Sequence, residues 1–140
     1  MSAGPLTVLG FDYGEKRIGV AVGQTLTGTA TAVQTISQHQ HQPDWTAIGR
    51  LIDTWQPQQL VVGLPLNMDG SEQSLTRRAR RFGRQLAGRY RLPVDYADER
   101  LSTREAARAY EHRAPPREGR DAVAAKVILE GWMAGTKLPP

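Results

Sequence analysis

The first third of the chain alternates between apolar and polar residues with a period of two. Residues 6–13, 17–23 and 28–36 each follow this pattern, and glycines and threonines separate the three segments. A period of two is typical of strands with one buried face, because successive side chains point to opposite sides. The pattern therefore predicts three strands joined as an antiparallel meander.

After Pro43 the apolar residues recur at the spacing of a helix. This spacing continues to Pro57 and predicts a first helix, after which the continuously apolar segment QLVVGLPL, residues 59–66, predicts a buried strand. The later predicted elements are a helix over about 71–90, a strand over 93–97, a helix opening at a capping box of Ser102 and Glu105, a loop over 112–119 and a helix over about 120–133.

This order of elements predicts an α/β fold. Three meander strands followed by alternating helices and strands imply a mixed sheet with helices on both faces. A chain of 140 residues has the usual length of one domain, so we expect a single domain over residues 1–140. The tail from about residue 134 is expected to be flexible.

The composition narrows the class of protein. The sequence contains no cysteine, no apolar stretch of about 18 residues and no N-terminal segment typical of a signal peptide. These observations argue against a secreted, disulfide-bonded protein and against a membrane protein. We therefore expect a cytoplasmic protein without a membrane partner.

Acidic residues stand where three of the predicted elements end or begin. Asp12 ends the first strand, Asp98 and Glu99 follow the fifth, and Asp121 opens the last helix on its sheet-facing side. Taken singly, each acid has an ordinary structural role as a turn residue, an ion-pair partner or a helix N-terminal acid. Three carboxylates about 5 Å apart would instead repel by about 3 kcal/mol per pair at an effective dielectric constant of about 20. A hard cation such as Mg²⁺ or Mn²⁺ would remove this repulsion, and two such ions can activate water for attack on phosphorus.

Basic residues are concentrated in the second half of the chain. Residues 1–76 carry a net charge of −3, whereas residues 77–126 carry +7. This asymmetry favours a polyanionic partner such as nucleic acid, although a solvated charged face is the alternative. The candidates for contacting a nucleic-acid backbone are Arg77, Arg81 and Arg84 on one helix ridge, together with Arg17 and Arg100 near the acids.

Two other polar segments give weaker signals. Asn67, in the glycine-containing segment GLPLNMDG, is a candidate substrate contact. His39 and His41 lie two residues apart in SQHQHQP without further metal-ligating residues, so this segment is predicted to be a surface loop.

Four blocks of the sequence together resemble one family. FDYGEKRIGVAVG, VVGLPLNMDGSE, DERLST and GRDAVAAKVILEGW cover nearly the whole chain in the order found in the YqgF family. These Holliday-junction-resolvase-like proteins are regarded as nucleases that trim the 5′ end of pre-16S ribosomal RNA. The resemblance implies an RNase H-like fold with a five-stranded sheet in the order 3-2-1-4-5. It also implies a metal-dependent phosphodiester hydrolase site at Asp12, Glu99 and Asp121, and it selects Glu99 over Asp98.

The resemblance and the residues together lead to one main functional hypothesis. We expect a nuclease that uses two Mg²⁺ or Mn²⁺ ions to process structured RNA, the 5′ end of pre-16S ribosomal RNA, as a monomer or a weak homodimer. A Holliday junction resolvase acting on branched DNA is the first alternative. A non-catalytic nucleic-acid-binding factor is the second. A phosphotransferase of the sugar-kinase type would need two lobes to enclose ATP, and 140 residues supply one.

Overall fold

A computed structural model describes residues 4–99, 117–135 and 137–138 of the chain. Seven strands and three helices have their bounds within these ranges. In chain order they are β1 Thr7–Tyr13, β2 Arg17–Gln24, β3 Thr29–His39, β4 Gln42–Pro43, α1 Trp45–Trp55, β5 Gln59–Leu64, α2 Ser74–Tyr90, β6 Val94–Asp98, α3 Arg117–Met133 and β7 Lys137–Leu138.

The strands form one mixed sheet in the order β4-β3-β2-β1-β5-β6-β7. β1, β2 and β3 pair antiparallel as the meander predicts, whereas β5 lies parallel to β1 and β6 parallel to β5. The five long strands therefore confirm the expected order 3-2-1-4-5. The expected count of five strands is wrong for the described residues, because two-residue strands extend the sheet at both edges.

Both additional strands are two residues long, which is too short for an alternating apolar pattern to predict them. β4 returns along β3 after a tight turn at Gln40 and His41, and β7 pairs antiparallel with β6. β7 consists of Lys137 and Leu138, which lie in the tail that the sequence predicts to be flexible. Pairing supplies backbone hydrogen bonds to the otherwise open edge of β6.

The two faces of the sheet carry different helices. Leu9, Phe11 and Tyr13 of β1 face α1 and α2, and they pack with residues such as Phe82 in the larger core cluster. Val8, on the opposite face, belongs to a smaller cluster with Ala125, Ile128 and Leu129 of α3. Asp12 shares the parity of Val8, so its side chain lies on the α3 face.

Glycines on the neighbouring strands let α3 approach the sheet beside Asp12. Gly19 of β2 and Gly63 of β5 are both paired in register with Asp12. A Cβ atom at Gly19 would lie 1.8 Å from the backbone oxygen of Asp121, and one at Gly63 would lie 2.7 Å from Ile128. Any side chain at Gly19 would therefore displace the first turns of α3.

The start of α2 differs from the sequence expectation. The helix begins at Ser74 rather than near Ser71, because residues 66–72 first close a small hairpin with a bridge between Leu66 and Glu72. Gln73 and Thr76 then form a capping box, and the Thr76 hydroxyl donates to the backbone oxygen of Pro65. These hydrogen bonds join the helix start to the chain leaving β5.

The C-terminal helix also begins earlier than expected. α3 starts at Arg117 instead of about Arg120, so the final residues of the predicted loop over 112–119 are helical. The predicted helix opening at Ser102 lies outside the described residues. None of the helices in the described ranges is long and apolar enough to span a membrane.

Candidate active site

The candidate site lies where the carboxyl ends of three parallel strands meet. Asp12 is paired with Gly63, and Gly63 is paired with Ala97 two residues before Glu99. Because parallel strands end at the same edge of a sheet, the end of β1 and the residue following β6 are brought close together. This register brings Asp12 and Glu99, which are distant in the sequence, to the same edge of the sheet.

Asp12 and Glu99 form a hydrogen bond between their side chains. Burial raises the pKa of Asp12 to about 6, and the charge of Asp121 raises it as well. Burial also raises the pKa of Glu99 to about 9, with further contributions from Asp12 and from Asp98. At neutral pH Glu99 therefore keeps its proton, and its carboxyl group donates a hydrogen bond to the Asp12 carboxylate.

Asp121 belongs to α3 and joins the acidic group on the same face of the sheet as the Asp12 side chain. It lies near the start of α3, where Gly19 permits the close approach described above. Its Oδ2 atom accepts a hydrogen bond of 2.9 Å from Nε of Arg17, the first residue of β2. Both side chains are partly exposed, so this ion pair is accessible from solvent.

The donor chemistry of this group fits a hard divalent cation. All of its potential ligands are carboxyl oxygens, which Mg²⁺ and Mn²⁺ prefer. In the described part of the chain, however, no three acidic, histidine or cysteine side chains are arranged to hold a metal ion. Asp12 and Glu99 are bonded to each other and Asp121 is bonded to Arg17, so metal ligation by these acids stays a prediction.

The predicted nucleic-acid-binding residues are not all at this edge. Asn67 lies in the small hairpin after β5, where its side chain donates to the hydroxyl of Ser71 at 3.0 Å. The arginine ridge of α2 is exposed, but α2 packs on the sheet face opposite Asp12. That ridge consists of Arg77, Arg81 and Arg84. Arg100 lies outside the described residues.

One acid that acts on this site is not selected by the sequence pattern. Asp98, the last residue of β6, raises the pKa of Glu99 through its charge. Its position next to Glu99 in the DER triplet is the available signal. Adjacent residues at a strand end cannot be ranked by pattern alone, because the chain direction changes there.

Solved structures of similar fold include two resolvases. The chain matches "T. thermophilus RuvC in complex with Holliday junction substrate" with a TM-score of 0.56 and 19% identity, covering 96% of this chain and 99% of the other. It matches the yeast mitochondrial Holliday junction resolvase Ydc2 with a TM-score of 0.51 and 10% identity, covering 90% and 77%. These likenesses confirm the RNase H-like fold.

Relatives of much higher identity cover almost the same length. A protein of Aeromonas hydrophila subsp. hydrophila is 51% identical over 131 residues, which are 91% of this chain and 94% of the relative. A protein of Coxiella burnetii is 52% identical over 134 residues, covering 94% and 95%. Both carry the name "Putative pre-16S rRNA nuclease". The family model described as "RuvX: Holliday junction resolvase" matches residues 6–135, and the chain therefore belongs to the RuvX family.

Proposed function

We propose that this protein is a metal-dependent nuclease that hydrolyses phosphodiester bonds in structured RNA. The observation that carries the proposal is the hydrogen-bonded pair of Asp12 and Glu99 at the ends of parallel strands, with Asp121 beside it. Keeping Glu99 protonated beside Asp12 at neutral pH costs folding free energy. Relatives at about 50% identity named for pre-16S ribosomal RNA support that RNA as the substrate, and the resemblance described above points to its 5′ end.

Asp12, Glu99 and Asp121 are the residues that would hold Mg²⁺ or Mn²⁺. When bound, a pair of such ions supplies an activated water and neutralises charge on the phosphoryl oxygens. The acid pair contributes by releasing its shared proton, so that both carboxylates become available as ligands. Arg17 orients Asp121 through the 2.9 Å hydrogen bond, and its exposed guanidinium can donate further hydrogen bonds to a substrate phosphate.

The proposed substrate also indicates where the protein acts and in which oligomeric state. Ribosomal RNA precursors are processed in the bacterial cytoplasm, where we place this protein. Trimming one strand end needs one acidic site, so the monomer suffices, and a weak homodimer would not alter the chemistry.

Resolution of Holliday junctions is the second candidate function. The family description and the fold shared with a RuvC bound to a junction support it. A symmetric four-way junction must be cut in two strands, so this function requires two copies of the site in a dimer. The oligomeric state of the protein on its substrate therefore separates the two candidates.

Cleavage assays with matched variants test the proposal. Wild type, Asp12→Asn and Asp53→Asn, a control on the exposed face of α1, are incubated with precursor 16S RNA and with a synthetic four-way junction. We expect wild type and the control to cleave the RNA only with Mg²⁺ or Mn²⁺, and Asp12→Asn to lose cleavage by at least about a hundredfold. Equal cleavage by Asp12→Asn would refute the metal-holding role. Salt-sensitive RNA binding without cleavage by wild type would identify a non-catalytic binding factor.

A further inference from the structure

A polar cavity lies on the α2 side of the sheet, at the same strand end as the acid pair. Its volume is about 270 Å³, and it is bounded by the end of β1, the turn between β3 and β4, and one face of α2. Tyr13, His41, Arg78 and Arg81 contribute to its lining. Tyr13 directly follows Asp12 in β1, so the cavity and the acid pair lie on opposite sides of one strand end.

The lining groups are suited to an anion with several acceptor oxygens. They include two guanidinium groups, a phenol, an imidazole and glutamine amides, and none of the described lining residues is acidic. Burial raises the pKa of Tyr13, while a hydrogen bond with the Gln38 side chain and the charges of Arg78 and Arg81 act to lower it. Both guanidinium groups therefore lie near the Tyr13 hydroxyl. Glu15, at 3.9 Å from Arg78, forms only a long and exposed ion pair.

The turn that borders the cavity has an unusual backbone for its sequence. Gln40 and His41 have φ angles of 50° and 62°, the left-handed conformation of a two-residue hairpin turn. Asn-Gly is the favoured pair in such turns because these residues tolerate positive φ. A strained turn that places glutamine and histidine against a basic cavity is consistent with a binding role for those side chains.

The cavity suits a phosphate group better than a base. The ring of Tyr13 is buried and packs against Phe82 with centroids 5.2 Å apart, so the cavity offers no open ring face of Tyr13 on which a base could stack. Arginine forks match the oxygens of a phosphate in two-point hydrogen bonds. We infer that this cavity is a second phosphate site, which binds a backbone phosphate of the nucleic acid whose nearby phosphodiester bond is presented to Asp12 and Glu99. The inference rests on the proposed nuclease function for its choice of nucleic acid.

Binding without cleavage tests the second phosphate site. The affinity of the protein for a labelled single-stranded RNA is measured in EDTA over a range of salt concentrations. For Arg78→Gln/Arg81→Gln we expect binding weaker by at least about tenfold at 0.1 M salt. The log–log salt slope should become shallower by about 0.7, the value for one lost phosphate contact on a single strand. Arg50→Gln/Arg91→Gln removes the same charge from exposed positions outside the cavity and should retain the wild-type slope. Equal behaviour of the two double variants would overturn the inference.

Two further measurements distinguish a site for backbone phosphate from a pocket for a small phosphate compound. Tyr13→Phe keeps the ring that packs on Phe82 and removes the hydroxyl, which also forms a hydrogen bond with Gln38. We expect a several-fold loss of RNA affinity at a temperature where both proteins are fully folded. In a titration followed by NMR, the RNA should shift the amide signals of Tyr13 and His41. Shifts caused by inorganic phosphate or a nucleoside monophosphate but not by RNA would assign the cavity to a small phosphate compound and overturn the inference. Because these readouts need no divalent ion, they remain decisive even if wild type fails to cleave.

Discussion

The acid pair makes a specific prediction about stability in the absence of metal. An unfolded chain loses the Glu99 proton near pH 4.5, whereas the folded protein holds it up to a pKa of about 9. Between these values the folded state binds the additional proton, so the free energy of unfolding falls as pH rises. The contribution of protonated Glu99 to the free energy of unfolding is fully present below about pH 4.5 and is progressively lost as the pH rises to about 9.

The size of this effect follows from the raised pKa. Each pH unit above the unfolded value costs about 1.4 kcal/mol, so at pH 7 the folded protein is destabilised by about 3 kcal/mol at this residue. Glu99→Gln places an amide donor where the protonated acid donates to Asp12, without the need to bind a proton. We therefore expect the metal-free variant to melt about 10 °C higher than wild type at pH 7.

Thermal unfolding in EDTA from pH 4.5 to pH 9 provides the measurement. The difference between Glu99→Gln and wild type should be near zero at pH 4.5 and should increase with pH. Asp53→Asn, which removes one exposed acid from α1, is the matched control and should follow wild type throughout. If wild type keeps a constant stability over this range, or Glu99→Gln is no more stable at pH 8, the shared proton is refuted.

Three other changes probe the same edge of the sheet. Gly19→Ala should destabilise the protein by about 3 kcal/mol in urea unfolding, because its Cβ would collide with the backbone of Asp121. Gly88→Ala, at an open helix position, should not destabilise it by that mechanism. Equal unfolding midpoints of the two variants would contradict the close approach of α3. Mn²⁺ should raise the melting temperature of wild type more at pH 8 than at pH 6, because it competes with the shared proton. It should have little effect on the melting temperature of Asp12→Asn. An effect on wild type that does not depend on pH would show that Mn²⁺ does not bind at the acid pair. Arg17→Gln should change the free energy of unfolding by no more than about 1 kcal/mol, because the ion pair of Arg17 is exposed. The same variant should cleave RNA at least about tenfold more slowly than wild type. Cleavage at the wild-type rate would show that Arg17 has no role in the site.

The sequence predicts the position of Asp12 well because one simple rule governs it. Alternation along β1 assigns Asp12 to the face opposite Phe11, and the core confirms this parity. The ends of elements are harder to predict, since local hydrogen bonds decide them. The capping box at Gln73 and Thr76 sets the start of α2, and no apolar periodicity reports such a cap.

The arginines show a different limit of sequence reasoning. Helical spacing places Arg81 on the exposed side of α2, which the structure bears out. Spacing says nothing about which face of the sheet that helix covers, and α2 lies opposite the acid pair. The cavity also escapes sequence reasoning, because Tyr13 has the pattern of a core residue and His41 that of a loop, and only the fold brings them together.

The chain order of the acids has a consequence for biosynthesis. Asp12 is synthesised first, Glu99 later, and Asp121 last of the three. Because Asp121 reaches the sheet only when α3 docks over Gly19, the acidic group is incomplete until α3 has been synthesised and has folded onto the sheet. A truncated chain that ends before α3 would therefore keep Asp12 but lack the complete acidic group, and the docking of α3 is the last step in forming the proposed site.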